Sequence, residues 1–119
     1  MKMPKAAPES TRLFEQLAAG DPRLEIRKLF GQPTAFVQGN MCFGTFGTEV
    51  YVRLSEIDRK KAAADPKVRP FEPMPGRPMT EYLVLPPSVL RDRAEAQRWV
   101  ARSVRYVASL PPKPAKARR

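Results

Sequence analysis

The 119-residue sequence predicts an α+β fold, a two-layer sandwich in which helices pack on an antiparallel sheet. Three observations predict it. The stretch Thr34 to Leu54, TAFVQGNMCFGTFGTEVYVRL, holds three runs of β-forming residues separated by Gly39-Asn40 and Gly47-Thr48, which reads as a three-stranded meander. Apolar residues at helical spacing near 9–19, 56–64 and 88–110 supply the covering layer. A composition of 42% hydrophobic and 29% charged residues suits one globular domain with a modest core, and no second domain fits the length.

Within the meander, short turns fix register. Gln38 is expected opposite Met41, and Phe46 opposite Glu49. The rows Phe36/Phe43/Val52 and Thr34/Thr45/Val50, with Met41/Leu54, then form the core face. Val37/Cys42/Arg53 and Ala35/Gly44/Tyr51 form the other face, which is only half apolar. With helices on one side of the sheet, that second face reads as the seam of a homodimer, formed by Cys42, Gly44, Tyr51 and Arg53.

In chain order, Pro8-Glu9-Ser10-Thr11 starts a helix with Leu13, Phe14 and Leu17 on one side and Gly20 at its end. Leu24 and Ile26 alternate with charges in a strand near 24–30, where Lys28-Leu29-Phe30 breaks the alternation and predicts a bulge or strand end. After the meander, Ser55 is the N-cap of a short helix near 56–64, stopped by Asp65-Pro66. Five prolines between Pro66 and Pro78 predict a loop pinned by Phe71 and Met74. Met79 to Leu85, MTEYLVL, is a well-covered strand. Ser88 caps the last helix, near 88–110, with Ala96, Trp99, Val100, Ser103, Val107 and Leu110 on its inner face.

The formal charge of +10 is concentrated at the ends. Lys2 and Lys5 at one end, and Lys113, Lys116, Arg118 and Arg119 at the other, leave the body 16 bases against 12 acids, or +4. The segments 1–8 and 111–119 are expected to be disordered basic tails around a single domain at 9–110. With no histidine and one cysteine, the chain lacks the parts of a Ser-His-Asp or Cys-His nucleophile system and of a standard zinc site. Its acids are scattered, and no glycine-rich phosphate loop occurs. No enzymatic activity and no cofactor are expected. The N-terminus has no apolar segment, and no run reaches the length of a membrane span.

The candidate binding residues are basic. Arg91, Arg98, Arg102 and Arg105 form a stripe opposite the apolar face of the last helix, fit for phosphates or an acidic protein face, against the plain alternative of a solvated helix surface offset by Glu95. Arg77 in Pro75-Gly76-Arg77-Pro78 is either an anion ligand beside a tight turn or a turn arginine paired with a nearby acid. The tail residues Lys113, Lys116, Arg118 and Arg119 add charge without geometry. Tyr51 alone is too little for a base-stacking platform. Cys42 reads as a small core or seam residue.

The stretches RKLFG (Arg27 to Gly31), FVQGNMCFGTFGTEVYVRLSE (Phe36 to Glu56) and PFEPMPGRPMTEYLVLPP (Pro70 to Pro87) carry a resemblance to the TfoX N-terminal domain family. Members of that family show an R-x-M-F-G run, a G-N hairpin and a P-M-x-G-R-x-M-x-x-Y segment. This chain has Leu29 at the methionine, a volume-conserving change. The resemblance covers roughly residues 10–112. It implies a two-layer α+β fold similar to secretion chaperones and YjbR-like proteins, and a non-enzymatic, cytoplasmic role of the kind played by bacterial competence regulators. Those regulators carry a second, C-terminal domain, whereas this chain continues into a basic tail. The expected function is regulation, of transcription or competence type, through protein contacts, with a homodimer among them. The alternative is weak, non-specific nucleic-acid binding by the last helix and tail.

Overall fold

A computed structural model describes residues 4–113. They form one six-stranded antiparallel open sheet and four helices, an α+β fold. The elements are α1 (Pro8–Ala18), β1 (Leu24–Leu29), β2 (Gln32–Val37), β3 (Asn40–Phe46), β4 (Glu49–Arg53), α2 (Glu56–Ala62), β5 (Arg69–Met74), β6 (Arg77–Val84), α3 (Pro87–Leu90) and α4 (Arg93–Ala108). The strand order is β1-β2-β3-β4-β6-β5, so β6 returns to pair with β4 and leaves β5 at the edge. Among the described residues no helix is long and apolar enough to cross a membrane.

The expected β3–β4 hairpin is present. Phe46 pairs with Glu49 and Phe43 with Val52 across Gly47-Thr48, with positive φ at Gly47. The β2–β3 hairpin turns one residue earlier than expected, at Gln38-Gly39, where φ is 52° and 84°. A turn with two positive φ values favours glycine at its second position, and placing Gly39 there shifts the turn toward the N-terminus. A bulge follows, because Phe36 pairs with Met41 but Ala35 with Phe43. Cys42 is therefore the extra residue, and it joins Phe43 in the helix-side core instead of facing away. The shift also exchanges the faces of β2: Ala35 and Val37 turn into that core, while Thr34 turns toward Tyr51.

The helix-side core combines Phe14 and Leu17 of α1, Phe43, Val50 and Val52 of the sheet, and Ala96, Val100, Val104 and Val107 of α4. Pro8 stands at the start of α1, where its missing N–H costs nothing, and the buried Ser10 hydroxyl donates to the Gly47 carbonyl at 2.7 Å. In α2, Ser55 caps as expected, its hydroxyl accepting from the Asp58 N–H at 3.2 Å.

Of the bulge or strand end expected near Lys28, β1 shows the strand end: it stops at Leu29, paired continuously with β2, and a two-residue turn follows at Phe30-Gly31. Four further expectations are corrected. The proline-rich segment is a strand, β5, because at a sheet edge Pro70 and Pro73 cost little, and the ladder shifts register beside them. Phe71 is buried as expected, but Met74 is 47% exposed at the hairpin tip. The last helix is two helices: the Arg91 N–H closes α3 on the Pro87 carbonyl, and Asp92 restarts the chain as N-cap of α4 by accepting from the Glu95 N–H at 3.2 Å. Pro86, not Ser88, occupies the cap position of α3.

Both ends of the described chain are held by turns of the sheet. The Ala7 N–H donates to the Gly47 carbonyl, and Gln32 bridges, donating to the Pro4 carbonyl at 2.9 Å and accepting from the Gly47 N–H at 2.7 Å. At the other end Asn40 donates to the Pro111 carbonyl and the Lys113 N–H to the Gln38 carbonyl. Residues 4–8 and 111–113 thus lie against strand turns, which offer free backbone groups that extended chain can satisfy, and the rest of the two expected tails lies outside the described residues.

The second face of the sheet is closed by its own aromatic residues. The Phe71 ring stacks on Tyr51 at 4.0 Å and meets Phe46 edge-on at 5.4 Å, and Phe30 meets Phe46 from the opposite end at 5.6 Å. Phe71 reaches Tyr51 across the intervening β6, and Phe46 of β3 stands between Phe71 and Phe30, so the rings form a continuous row over this face.

Candidate functional site

Helix α4 carries the arginines that the sequence singles out. Ala96, Val100, Ser103, Val104 and Val107 are buried on its inner face, and the Gln97 side chain donates to the Leu17 carbonyl at the end of α1. This leaves Arg98, Arg102 and Arg105 on the outside, spaced four and three residues apart and so aligned in one stripe. Arg98 and Arg105 are exposed. Arg102 lies partly down on the surface with its guanidinium 4.6 Å from the centre of the Trp99 ring. Trp99, expected as inner-face core, is only partly buried, with one flank against the core and the other under Arg102. Among the described residues none of the three arginines forms an ion pair, and Glu95 does not close on them.

Arg91 does not extend this stripe. It lies at the end of α3 and lines a cleft of about 430 Å³ between α1 and α3, with Glu9, Ser10 and Leu13 opposite. Arg77 begins β6 behind the Pro75-Gly76 turn, where Glu72 accepts from the Gly76 N–H and Arg77 stays exposed, without an ion pair among the described residues. Lys113 is placed by its backbone bond to Gln38. Lys116, Arg118 and Arg119 lie outside the described residues.

The residues expected at a dimer seam are inside the chain. Cys42 and Tyr51 are fully buried, and Gly44 lies beneath the Tyr51 hydroxyl. They offer no surface to a second copy, because the aromatic residues of the end hairpins already cover that face. The Cys42 thiol shares a hydrogen bond with the Ser103 hydroxyl at 3.2 Å, and burial pushes its pKa up to about 11, so it stays protonated and inert. Arg53 is half-buried and committed. Its Nε donates to Glu81 Oε1 at 2.7 Å, and Tyr106 donates to Glu81 Oε2 at 3.0 Å. Burial disfavours the Glu81 carboxylate, but the hydrogen bonds from Arg53 and Tyr106 outweigh it and hold its pKa below the usual value. This network ties β4, β6 and α4 together, and no local pattern announces it, since its partners are 28 and 25 residues apart.

Chemically, the α4 surface presents a stripe of three delocalised cations, the middle one laid over a flat indole, an arrangement that accepts carboxylates or phosphates beside an apolar edge. Among the described residues no group of three His, Cys, Asp or Glu comes together to hold a metal ion.

No curated protein and no solved structure matches the chain significantly. A family model does match, that of the TfoX N-terminal domain, over residues 15–107, from within α1 to the last turn of α4. Because this span takes in all six strands and most of the chain, the protein belongs to the TfoX N-terminal domain family.

Proposed function

We propose that the protein is a non-enzymatic regulatory module of the cytoplasm, serving transcriptional or competence-type control, that docks an acidic face of a partner protein on Arg98, Arg102 and Arg105. The observation that carries this reading is the Arg102–Trp99 stack between two exposed, unpaired guanidiniums. Tryptophan and arginine dominate the energetic centres of protein interfaces, and an arginine already laid on an indole loses little freedom on binding. Membership of the family supports the regulatory part. The small charge excess of the body favours an acidic protein over a polyanion as the partner.

The test begins with capture of partners from the native cell by the whole chain and by a form lacking residues 111–119. Affinity of the purified partner is then measured for wild type and for Arg98→Glu and Arg102→Glu. Each reversal is expected to weaken binding about tenfold or more, with wild-type affinity falling as salt rises. A partner that binds the reversed forms as tightly as wild type overturns the assignment of α4. Sequence-selective duplex binding by the truncated form at physiological salt replaces the acidic protein with nucleic acid.

A further inference from the structure

The sheet has two edges, and they are not equivalent. The β5 edge carries Pro70 and Pro73 and two register shifts, features that discourage a further strand. The β1 edge has neither. Its pairing with β2 is continuous over six residues, it contains no proline, and Ile26 at its middle is 50% exposed.

The turn fixes which backbone groups of β1 are free. In a hairpin closed by two residues, the flanking pair exchanges both hydrogen bonds, here Leu29 with Gln32. Arg27 and Glu25 therefore also point their N–H and C=O toward β2, while Lys28, Ile26 and Leu24 point theirs outward. The Leu24 N–H is taken by the Asp21 carbonyl at 3.2 Å, so both groups of Ile26, both of Lys28 and the carbonyl of Leu24 remain.

We propose that β1 is a homodimerisation edge, pairing antiparallel with β1 of a second copy about a two-fold axis at Ile26. Side-chain charge selects this register. An antiparallel partner must set outward-pointing residues opposite one another, which allows only alternate registers. With Leu24 opposite Ile26, Glu25 would face Glu25 of the partner. With Ile26 opposite Lys28, Arg27 would face Arg27. With Ile26 opposite Ile26, each Glu25 faces the partner's Arg27 in a close, non-hydrogen-bonded pair, twice over. The two Ile26 residues exchange both backbone bonds, and each Lys28 N–H reaches the partner's Leu24 carbonyl.

The helix side of the strand fits the same axis. Ile26, Lys28 and Pro33 line a groove of about 420 Å³ against Phe14 and Ala18 of α1 and Ala19 just past its end, and its lining is mostly apolar. Pairing at Ile26 joins this groove to its copy across the axis and covers the exposed isoleucine. On the other side Glu25 and Arg27 already pair within one chain at 3.3 Å, with Arg27 laid over the Phe36 ring at 4.2 Å, so exchange of that pair between copies needs little rearrangement.

The test is the mass of the whole chain in solution over a concentration series, by sedimentation equilibrium. Wild type is expected to pass from one chain to two. Arg27→Glu and Glu25→Arg should each be monomeric, because each sets like charges opposite one another. Mixing these two variants should restore the dimer as a heterodimer, and the double variant E25R/R27E should restore the homodimer. Ile26→Pro should abolish dimerisation while circular dichroism stays native, since the lost N–H points away from β2. If that variant fails to fold, the charge exchange decides alone. Arg98→Glu should leave the dimer intact, which separates this edge from the α4 surface. A wild type monomeric throughout, or a dimer that survives Arg27→Glu, overturns the proposal; the first outcome leaves the edge to a strand from another protein.

Discussion

Gly44 makes the room that the Tyr51 hydroxyl fills. The two residues are opposite one another on β3 and β4, and a Cβ on residue 44 would stand 2.6 Å from the Tyr51 oxygen and 2.9 Å from Thr34 Oγ1. The tyrosine cannot retreat, because Phe71 is stacked on its ring and its hydroxyl shares a bond with Thr34 at 3.2 Å. Gly44→Ala is expected to cost ~1–3 kcal/mol by overpacking, measured by urea unfolding. In the Tyr51→Phe background the same change should cost less, since the nearest clashing atom is gone, and a double-mutant cycle reads the difference. Equal costs in the two backgrounds would place the strain elsewhere.

The β3–β4 register has its own test at Phe43, which is fully buried opposite Val52 and meets Phe14 of α1 at 5.3 Å between ring centres. Phe43→Ala should cost roughly 3–5 kcal/mol. A loss below about 1 kcal/mol is what a surface position gives, and it would reverse the face assignment.

These two positions mark what the sequence makes legible. The β3–β4 hairpin follows from Gly47 and alternating side chains alone, so Phe43, Gly44, Tyr51 and Val52 fall on the expected faces. The β2–β3 hairpin does not, because Gly39 fits either position of the turn and a bulge leaves no trace in composition. One shifted residue was enough to exchange Ala35 and Thr34 between faces. The break at Arg91-Asp92 depends on Asp92 capping a new helix, which a continuous run of helix-forming residues conceals. The cover over Tyr51 was illegible for a different reason. It comes from Phe71, 20 residues away in a segment read as a loop, which stacks on Tyr51 from β5 across β6, while Phe30 closes on Phe46 beside it. The α4 stripe was legible because three and four residue spacings are local; its loss of Arg91 and its gain of Trp99 were not.

Three buried acids set the alkaline limit of stability. Burial pushes the Cys42 thiol up to about 11 from 9.0, and the Tyr51 and Tyr82 hydroxyls up to about 12 from 10.0. Raised in the fold, these groups hold protons that the unfolded chain releases first. Their contribution is therefore fully present below pH 9 and is lost as pH rises, through Cys42 between 9 and 11 and through the tyrosines between 10 and 12. At ~1.4 kcal/mol per pKa unit, Cys42 alone accounts for a decline of about 2–3 kcal/mol. Chemical unfolding at stepped pH should show that decline, and Cys42→Ala should flatten it between pH 9 and 10 and lessen it above, where the tyrosines still contribute. A wild-type profile that is flat across this window would contradict the burial of the thiol.

The last prediction concerns the docked C-terminal chain, whose anchor is the β2–β3 turn. Gly39 has a φ of +84°, and a Cβ there would stand 2.2 Å from the Lys113 carbonyl oxygen, a backbone atom that cannot swing aside like a side-chain tip. Gly39→Ala is thus doubly disfavoured, by the turn and by the docked chain. Removing residues 111–119 takes away the second penalty and leaves the first. The substitution should cost ~1–3 kcal/mol in the whole chain and measurably less in the shortened one, while Asn40→Ala, which loses the bond to the Pro111 carbonyl, should cost about 1 kcal/mol only when that carbonyl is present. Hydrogen exchange gives an independent reading, because the Lys113 amide donates to Gln38 at 2.9 Å and should be protected in wild type and exposed in Gly39→Ala. An unprotected Lys113 amide in wild type, together with a Gly39→Ala cost that does not depend on residues 111–119, would show that the chain leaves the domain at Leu110.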